Sequence, residues 1–394
     1  MTEKKERLDM AKTLCAVCRD VCTSYYQHPI LQNEKAKEIY AVSKSHMLDI
    51  MVGDYIIQNL EPDKEFKDRI QYNKNISIYR MVLADNARDE MLRFFNEQDI
   101  WYFRMKGQIL RKYYPRPYYR QMCDYDFLYD GRTQKKVEKY MENRGFQHEE
   151  STRIDQSFMK DGIHFELHRA LSTGTDDYKE MQDYYNLHLP EIIKNSKCVK
   201  GTAEREMSLD DIYIYMVVHA YKHYRYMSGM GIRHLIDVGV FLEKEGENLD
   251  YVYIERTLHH LRADIFEHRI RRLACNLFSP DGRWYSDTTD DEMLLELYDA
   301  GAYGKIENLH RYRIEKMKEH TDGKASVIRY IWDRIFPPKW QILQVYPWGG
   351  RSCFALLVAY MIRLSVALKK SHRFIREIKE VNSLIKENIE QSNV

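Results

Sequence analysis

The spacing of apolar positions changes character along the chain. From Lys4 to about Glu97 apolar residues recur three and four apart, as in Leu8, Ala11, Cys15, Cys18 and Cys22, and again in Tyr79, Val82, Leu83, Ala87, Met91 and Phe94. That period belongs to helices with one buried face, and strand-like alternation is missing, so several helices and no sheet are predicted before residue 98. Near Ile100 the pattern shortens to WYFRMKG, a short apolar run ending in Gly107, followed by QILRKYYP with Pro115 as a stop. This reads as strand, tight turn, helix. RQMCDYDFLYDG then alternates, placing Met122, Asp124 and Asp126 on one side of a strand and Cys123, Tyr125 and Phe127 on the other, before Asp130-Gly131 turns the chain. A helix from about Thr133 to Arg144 follows, with Gly145 as its C′ residue.

The next segments, Ser157 to Lys160 and Ile163 to His168, flank Asp161-Gly162 and predict a hairpin with a type I′ turn. On its second strand His164, Glu166 and His168 share one face. From Ser208 to Leu261 the period is helical again, through Ile212, Tyr215, Met216, His219 and His223, with Asp210-Asp211 at a helix N-terminus. The result is an α+β chain in which a small mixed sheet is embedded between helical regions, divided as 1–97, 98–200 and 201–394.

Composition narrows the partners. The 394 residues suffice for two or three compact units, and 44% hydrophobic with 31% charged residues describes a soluble globular protein. Lys+Arg 61 against Asp+Glu 60 gives a net charge of +1, which disfavours a long nucleic-acid partner. MTEKKERLDM is neither a secretory signal nor a transit peptide, and seven scattered cysteines (15, 18, 22, 123, 198, 275, 353) predict free thiols. A cytoplasmic location is expected. The longest apolar run, Phe354 to Leu368, contains Arg363 and is too short to span a bilayer, so a buried or interfacial helix without stable membrane insertion is expected. Basic residues Lys369, Lys370, Arg373, Arg376 and Lys379 beside it admit a membrane-surface helix. Periodic Val381, Leu384 and Ile385 among Glu380, Glu387 and Glu390 instead favour a soluble amphipathic helix packed on the body.

The chemistry concentrates between residues 98 and 170. Asp124 and Asp126 project together, and if Glu166 lies on the same face of a neighbouring strand, three carboxylates converge. Mg²⁺ requires hard oxygen ligands, and two such ions can clamp the attacking and leaving oxygens of a phosphoryl or nucleotidyl transfer. An isolated Asp-x-Asp more often marks a solvated strand face; the ordered set of Gly-ended strand, acid pair, helix and third acid narrows it. Cys15, Cys18 and Cys22 fall at the spacing of one buried helix face. His219 and His223 stand four apart, but Ala220 occupies the place where a HExxH motif carries Glu, so core or substrate-facing roles are favoured over zinc. Tyr113, Tyr114, Tyr118 and Tyr119 offer base-stacking rings, although 31 tyrosines account for the cluster equally well.

The run MKGQIL…YY…RQMCDYDFL, the helix ending RGF and the strand IHFELH resemble the uncharacterised nucleotidyltransferases of bacteria, a branch of the polymerase-beta-like nucleotidyltransferase superfamily. Weaker echoes are HAYKH, IRHLIDV with Asp237, and RIFPPKW. The resemblance implies a nucleotidyltransferase-type sheet that moves an NMP from an NTP to an acceptor it does not identify. It further implies that Asp124, Asp126 and Glu166 are catalytic and bind Mg²⁺ (or Mn²⁺). Lys106, Gly107, Arg120 and His168 would bind the nucleotide, Gly107 by letting the backbone approach the triphosphate. Gln108 departs from the Gly-Ser or Gly-Gly of the wider superfamily, where the Ser touches phosphate. Two rival readings remain: a glycosyltransferase holding a nucleotide sugar through Asp124-x-Asp126, which resembles proteins with a Rossmann-like βα half before that motif, and a non-catalytic nucleotide-binding scaffold.

Overall fold

The computed structural model describes residues 2–23, 31–149, 155–171, 179–279, 288–302, 304–319, 326–339, 342–343, 346–369 and 376–385. Helices come first, as the apolar spacing predicts: α1 (Thr2–Thr23), α2 (Asn33–Ser45), α3 (Asp49–Asn59) and α4 (Lys64–Glu97). Cys15 and Cys18 are fully buried on the inner face of α1, where burial pushes both thiols well above the ordinary range. All seven cysteines are free thiols. The 34-residue α4 starts cleanly because the Asp63 side chain accepts a hydrogen bond from the Phe66 amide at 2.8 Å.

The sheet then forms from β1 (Tyr102–Arg104), β2 (Tyr125–Tyr129), β3 (Gln147–His148), β4 (Asp155–Lys160) and β5 (Ile163–His168), with α5 (Gly107–Leu110) and α6 (Gln134–Asn143) in the connections. Its spatial order is β1-β2-β5-β4-β3. Only the central β2–β5 pair is parallel, the mixed topology expected. Asp161 (φ +51°) and Gly162 (φ +77°) make the two-residue turn of the β4–β5 hairpin. Gly145 (φ +80°) ends α6: its amide bonds to the Glu142 carbonyl at 2.9 Å and the Phe146 amide bonds to that of Met141 at 3.0 Å.

Strand alternation separates core from chemistry. Tyr125, Phe127 and Tyr129 of β2 and Phe165 and Leu167 of β5 join Phe95 of α4 and Val137 and Met141 of α6 in one buried cluster. The intervening residues, including Asp126, Glu166 and His168, face the opposite side. One detail differs from the sequence expectation, because β2 begins at Tyr125 and leaves Asp124 just before the strand. β1 ends at the turn through Lys106, so on that side β2 has no ladder partner beyond Phe127, and its backbone is paired only from Tyr125 onward.

After the sheet come α7 (Lys179–Asn195), the short pair β6 (Lys197–Cys198) and β7 (Arg205–Glu206), α8 (Leu209–Tyr226), α9 (Ile232–Glu245), α10 (Tyr251–His260), α11 (Asp264–Leu277), α12 (Thr288–Ala300), α13 (Ile306–Glu319), α14 (Val327–Ile335) and α15 (Cys353–Lys369). The chain divides into two compact units, one of residues 1–150, 154–224 and 229–304, the other of 151–153, 225–228 and 305–394. The second unit has its own core, in which Val381, Leu384 and Ile385 pack with Ile314, Met317 and Tyr330. These three therefore behave as the packed helix face that their spacing predicts; Glu387 and Glu390 lie outside the described residues.

In the first unit, the segment from Arg111 to Asp124 is held by helices far away in sequence. Asp85 of α4 accepts hydrogen bonds from both Nη atoms of Arg111 at 2.8 and 2.9 Å and from the Tyr125 hydroxyl at 2.7 Å. Asp54 of α3 accepts from Tyr119 at 2.9 Å and from Lys74 at 2.8 Å. Asp237 of α9 accepts from Tyr114 at 2.7 Å and from Arg120 Nε at 2.6 Å. Tyr114 and Tyr119 are thus buried anchors, Tyr113 packs edge-on against Phe241, and of the four only Tyr118 lines an open groove. The Arg120–Asp237 pair is buried on both sides, so removing one partner strands a charge in a dry interior. Asp237→Ala is expected to lower unfolding free energy by about 3 to 5 kcal/mol, read by urea denaturation; a loss under 1 kcal/mol would show that the anchor carries little.

Candidate active site

Asp126 and Glu166 are register partners on the parallel strands β2 and β5, and their side chains emerge on the same face. His164 and His168 flank Glu166 along β5. Two trios result, Asp124–His164–Glu166 and Asp126–Glu166–His168, and within each the potential ligand atoms all lie within 4.8 Å of one another. Glu166 belongs to both. The convergence expected of Asp124, Asp126 and Glu166 therefore exists, arranged as two adjoining sites rather than one point. The three carboxylates could hold a hard divalent cation such as Mg²⁺ or Mn²⁺, while the imidazole at each end is a donor better suited to transition ions.

Lys106 enters this cluster from the β1–α5 turn. Its Nζ lies 2.6 Å from Asp126 Oδ1, to which His168 Nε2 also bonds at 2.9 Å. Burial works against the Asp126 charge, but the ammonium beside it and the His168 hydrogen bond hold its carboxyl well below the usual carboxylate range. Asp124 is pushed the other way, by burial and by Asp126. Glu166 is pushed up to about 7 by burial and by the charge of Asp126, partly offset by Lys106.

The turn that delivers Lys106 is strained. Lys106 has φ +49° and ψ −123°, and the Gln108 amide bonds to the Met105 carbonyl at 3.2 Å, which makes this a type II′ turn with lysine where glycine is favoured. Gly107 follows, and a Cβ there would meet Met122 Sδ at 2.8 Å and Cγ at 3.0 Å, with Arg120 Nη1 at 3.5 Å. The missing side chain thus makes room for the segment that leads into Asp124. Gln108 is buried and donates its Nε2 to the Asp126 carbonyl at 2.6 Å. It braces the backbone of the acid strand. Arg120 also points inward, with Nε on Asp237 and Nη1 donating to the Gln121 carbonyl at 2.7 Å.

Cavities open at the two ends of this polar row. At the His164 end a groove of 980 Å³ runs along α4, lined by Tyr72, Arg80, Arg111, Tyr118, Met122 and His164 among others. At the His168 end is a small pocket of 70 Å³ whose walls include Lys106, His168, Tyr185, Tyr215, His219 and Lys222. The Tyr185 hydroxyl is buried there with no hydrogen-bond partner among the described residues. Lys222 is brought down to about 8 by burial and by Lys106, and burial with Lys106 also lowers His219 well below the ordinary histidine range. His219 therefore faces this pocket, while His223 packs against it edge-on at 4.6 Å. Lys222 and Tyr185 were not singled out from the sequence; the i, i+3 spacing of His219 and Lys222 on α8 was the only local signal, and Tyr185 on α7 had none.

A family model described as "Uncharacterised nucleotidyltransferase" matches residues 32–279. The match takes in the sheet, its acid cluster and the helices from α2 to α11, and the chain belongs to the uncharacterised nucleotidyltransferase family. No curated protein and no solved structure matches it.

Two outcomes follow for the metal-free protein. Since glycine accepts the Lys106 backbone geometry and methionine does not, Lys106→Gly should be more stable than Lys106→Met by about 1 to 2 kcal/mol in urea, although both lose the ion pair; equal stabilities would mean that the turn stores no strain. Glu166 has a folded-state pKa above its unfolded value, so its contribution is full below about pH 4.5 and is lost as pH rises through about 7. Relative to wild type, Glu166→Gln should gain up to about 3 kcal/mol between pH 4.5 and 8. A pH-independent difference would assign Glu166 an ordinary pKa.

Proposed function

We propose that the protein transfers a nucleoside monophosphate from an NTP to a hydroxyl or phosphate acceptor and releases pyrophosphate, using Mg²⁺ or Mn²⁺ held by Asp124, Asp126 and Glu166. The observation that carries this reading is the in-register placement of Asp126 and Glu166 on adjacent parallel strands, with Asp124 beside them, in a chain of a nucleotidyltransferase family. A divalent ion bound there supplies Lewis-acid polarisation of the phosphate and neutralises triphosphate charge. The chain's own groups do the rest. Glu166, shared by both trios of ligand atoms, would complete the metal site nearest the acceptor and favour loss of the acceptor's proton to solvent as the new oxygen–phosphorus bond forms and the bond to the pyrophosphate oxygen breaks. His168 steadies Asp126 for ligation.

Lys106 and Lys222 converge on the small pocket with the unpartnered Tyr185 hydroxyl, a set of donors suited to phosphate oxygens. We assign the phosphates to that side and the acceptor to the groove along α4. Arg120 and Gly107 act by position: one ties the segment before Asp124 to α9, the other lets Met122 pass. The glycosyltransferase reading lacks support, because the described residues before 98 are helical and supply no βα half ahead of the Asp-x-Asp.

Thermal stability with each of the four NTPs and with UDP-glucose, in Mg²⁺ or Mn²⁺, separates the readings, since a ligand of the native state raises stability as RT ln(1 + [L]/Kd). A metal-dependent shift with an NTP, abolished in Asp126→Ala, is expected. Asp124→Ala and Asp126→Ala should remove NMP transfer, Glu166→Gln should slow it at least about 100-fold with NTP binding retained, and Lys222→Met should weaken NTP binding about tenfold. A shift with UDP-glucose alone would favour glycosyl transfer. Pyrophosphate release unchanged in Asp126→Ala would remove the acid pair from the mechanism.

A further inference from the structure

The second compact unit carries an apolar face with nothing packed on it among the described residues. On α15, Phe354, Leu357, Met361 and Leu364 follow one another at three and four residues, so they fall within a quarter-turn of the helix. Phe354 is 76%, Leu357 57% and Met361 62% exposed. The neighbouring α14 adds exposed Ile328 and Trp332, with Phe336 just past its end. These two surfaces adjoin: Trp332 lies 4.7 Å from Phe336, the Phe336 ring lies 6.3 Å from Tyr360, and the Tyr360 hydroxyl donates to the Pro337 carbonyl at 2.6 Å. Tyr360 stands next to Leu357 and Leu364 around α15, so the patch is continuous. An apolar area of this kind on a charged chain marks a contact surface.

Charge identifies what it contacts. From Ser326 to Lys379 the sequence holds ten Lys or Arg and two Asp or Glu, in a chain whose net charge is +1 overall. Trp332 and Trp348 fall in the same stretch; Trp340, between them in sequence, lies outside the described residues. Lys339, three residues after Phe336, and Arg351, three residues before Phe354, are exposed. A second copy of this surface would bring like charges together, whereas an anionic bilayer offers acyl chains to the apolar residues, interfacial depth to the tryptophans and phosphate headgroups to the basic ones. No helix of the described residues is long and apolar enough to cross a membrane, so the contact is peripheral. The face lies outside residues 32–279, the part matched by the family model, and does not depend on the reading of the active site.

We propose that α15, with α14 beside it, docks this unit onto the surface of an anionic phospholipid bilayer. The full chain should sediment with vesicles of phosphatidylcholine containing phosphatidylglycerol, and at least tenfold less with phosphatidylcholine alone. Raising salt from about 0.05 M to about 0.5 M, which shortens the Debye length about threefold, should weaken the binding. Leu357→Glu with Met361→Glu, both at exposed positions that leave the core untouched, should abolish it; Lys339→Glu with Arg351→Glu should remove the preference for anionic vesicles. Circular dichroism and melting temperature confirm folding of each variant. The proposal is overturned if wild type sediments with neither vesicle, if the Leu357→Glu/Met361→Glu variant binds as wild type does, or if light scattering finds a dimer that this variant dissociates while vesicles do not compete for it. The last outcome would assign the face to a second copy.

Discussion

Mutual repulsion among Asp124, Asp126 and Glu166 is the constraint around which the site is built. Two unit charges about 4 Å apart repel by about 4 kcal/mol even at an effective dielectric constant of 20; Asp126 is buried, and Asp124 and Glu166 are partly so. The protein lowers that cost in two ways. It inserts the Lys106 ammonium against Asp126, and it leaves Glu166 with a proton affinity near neutrality. Fixing Lys106 there requires backbone in a region that glycine prefers, so the strained turn and the acid cluster are one design: local conformational energy is spent to place a cation where anions have been gathered.

A second set of carboxylates does the opposite task. Asp54, Asp85 and Asp237 lie outside the acid cluster, and each is matched to a tyrosine hydroxyl and to a cationic side chain. Their partners lie mainly on the irregular segment from Arg111 to Tyr125, which has no sheet ladder of its own before Tyr125. Without these bonds the backbone leading to Asp124 would be set only by two short 3-10 turns, Arg111–Tyr113 and Pro117–Tyr119. Three helices, α3, α4 and α9, therefore position Asp124, which they do not contain. The stretch matched by the family model, residues 32–279, takes in all three of these helices as well as the sheet.

What was legible in the sequence was local. The Asp161-Gly162 turn, the Gly145 helix end, the alternation of Asp126 with Phe127 and of Glu166 with Leu167, and the helical first hundred residues each depend on neighbours within a few positions, so spacing alone sets them. Pairings across more than a hundred residues could not be read this way. Asp237 was visible as part of a motif but not as the partner of Arg120, and the tyrosines from Tyr113 to Tyr119 read as open rings when most are buried anchors. The start of β2 was read three residues early, at Met122, because it depends on where the distant strand β5 first pairs with it, Tyr125 opposite Phe165. Lys222 and Tyr185 became visible only when α7 and α8 were seen to wall the same pocket as Lys106.

The polarity of the site follows from its two ends. The His168 end is narrow, walled by two lysines and four aromatic or imidazole rings, and closed by α7 and α8. The His164 end opens into a groove more than ten times larger along the exposed side of α4, where Tyr72 and Arg80 line a surface with no tight enclosure. A phosphate group is small, invariant and strongly charged, and a narrow cationic pocket recognises it well; an acceptor varies in size and needs room. If the transfer runs between these ends, Glu166 sits where the two substrates must meet, shared by both trios of ligand atoms. Specificity for the acceptor would then be written on α4 and the Arg111–Tyr125 segment, elements fixed by the buried carboxylates, while the sheet supplies chemistry that stays the same whatever the groove admits.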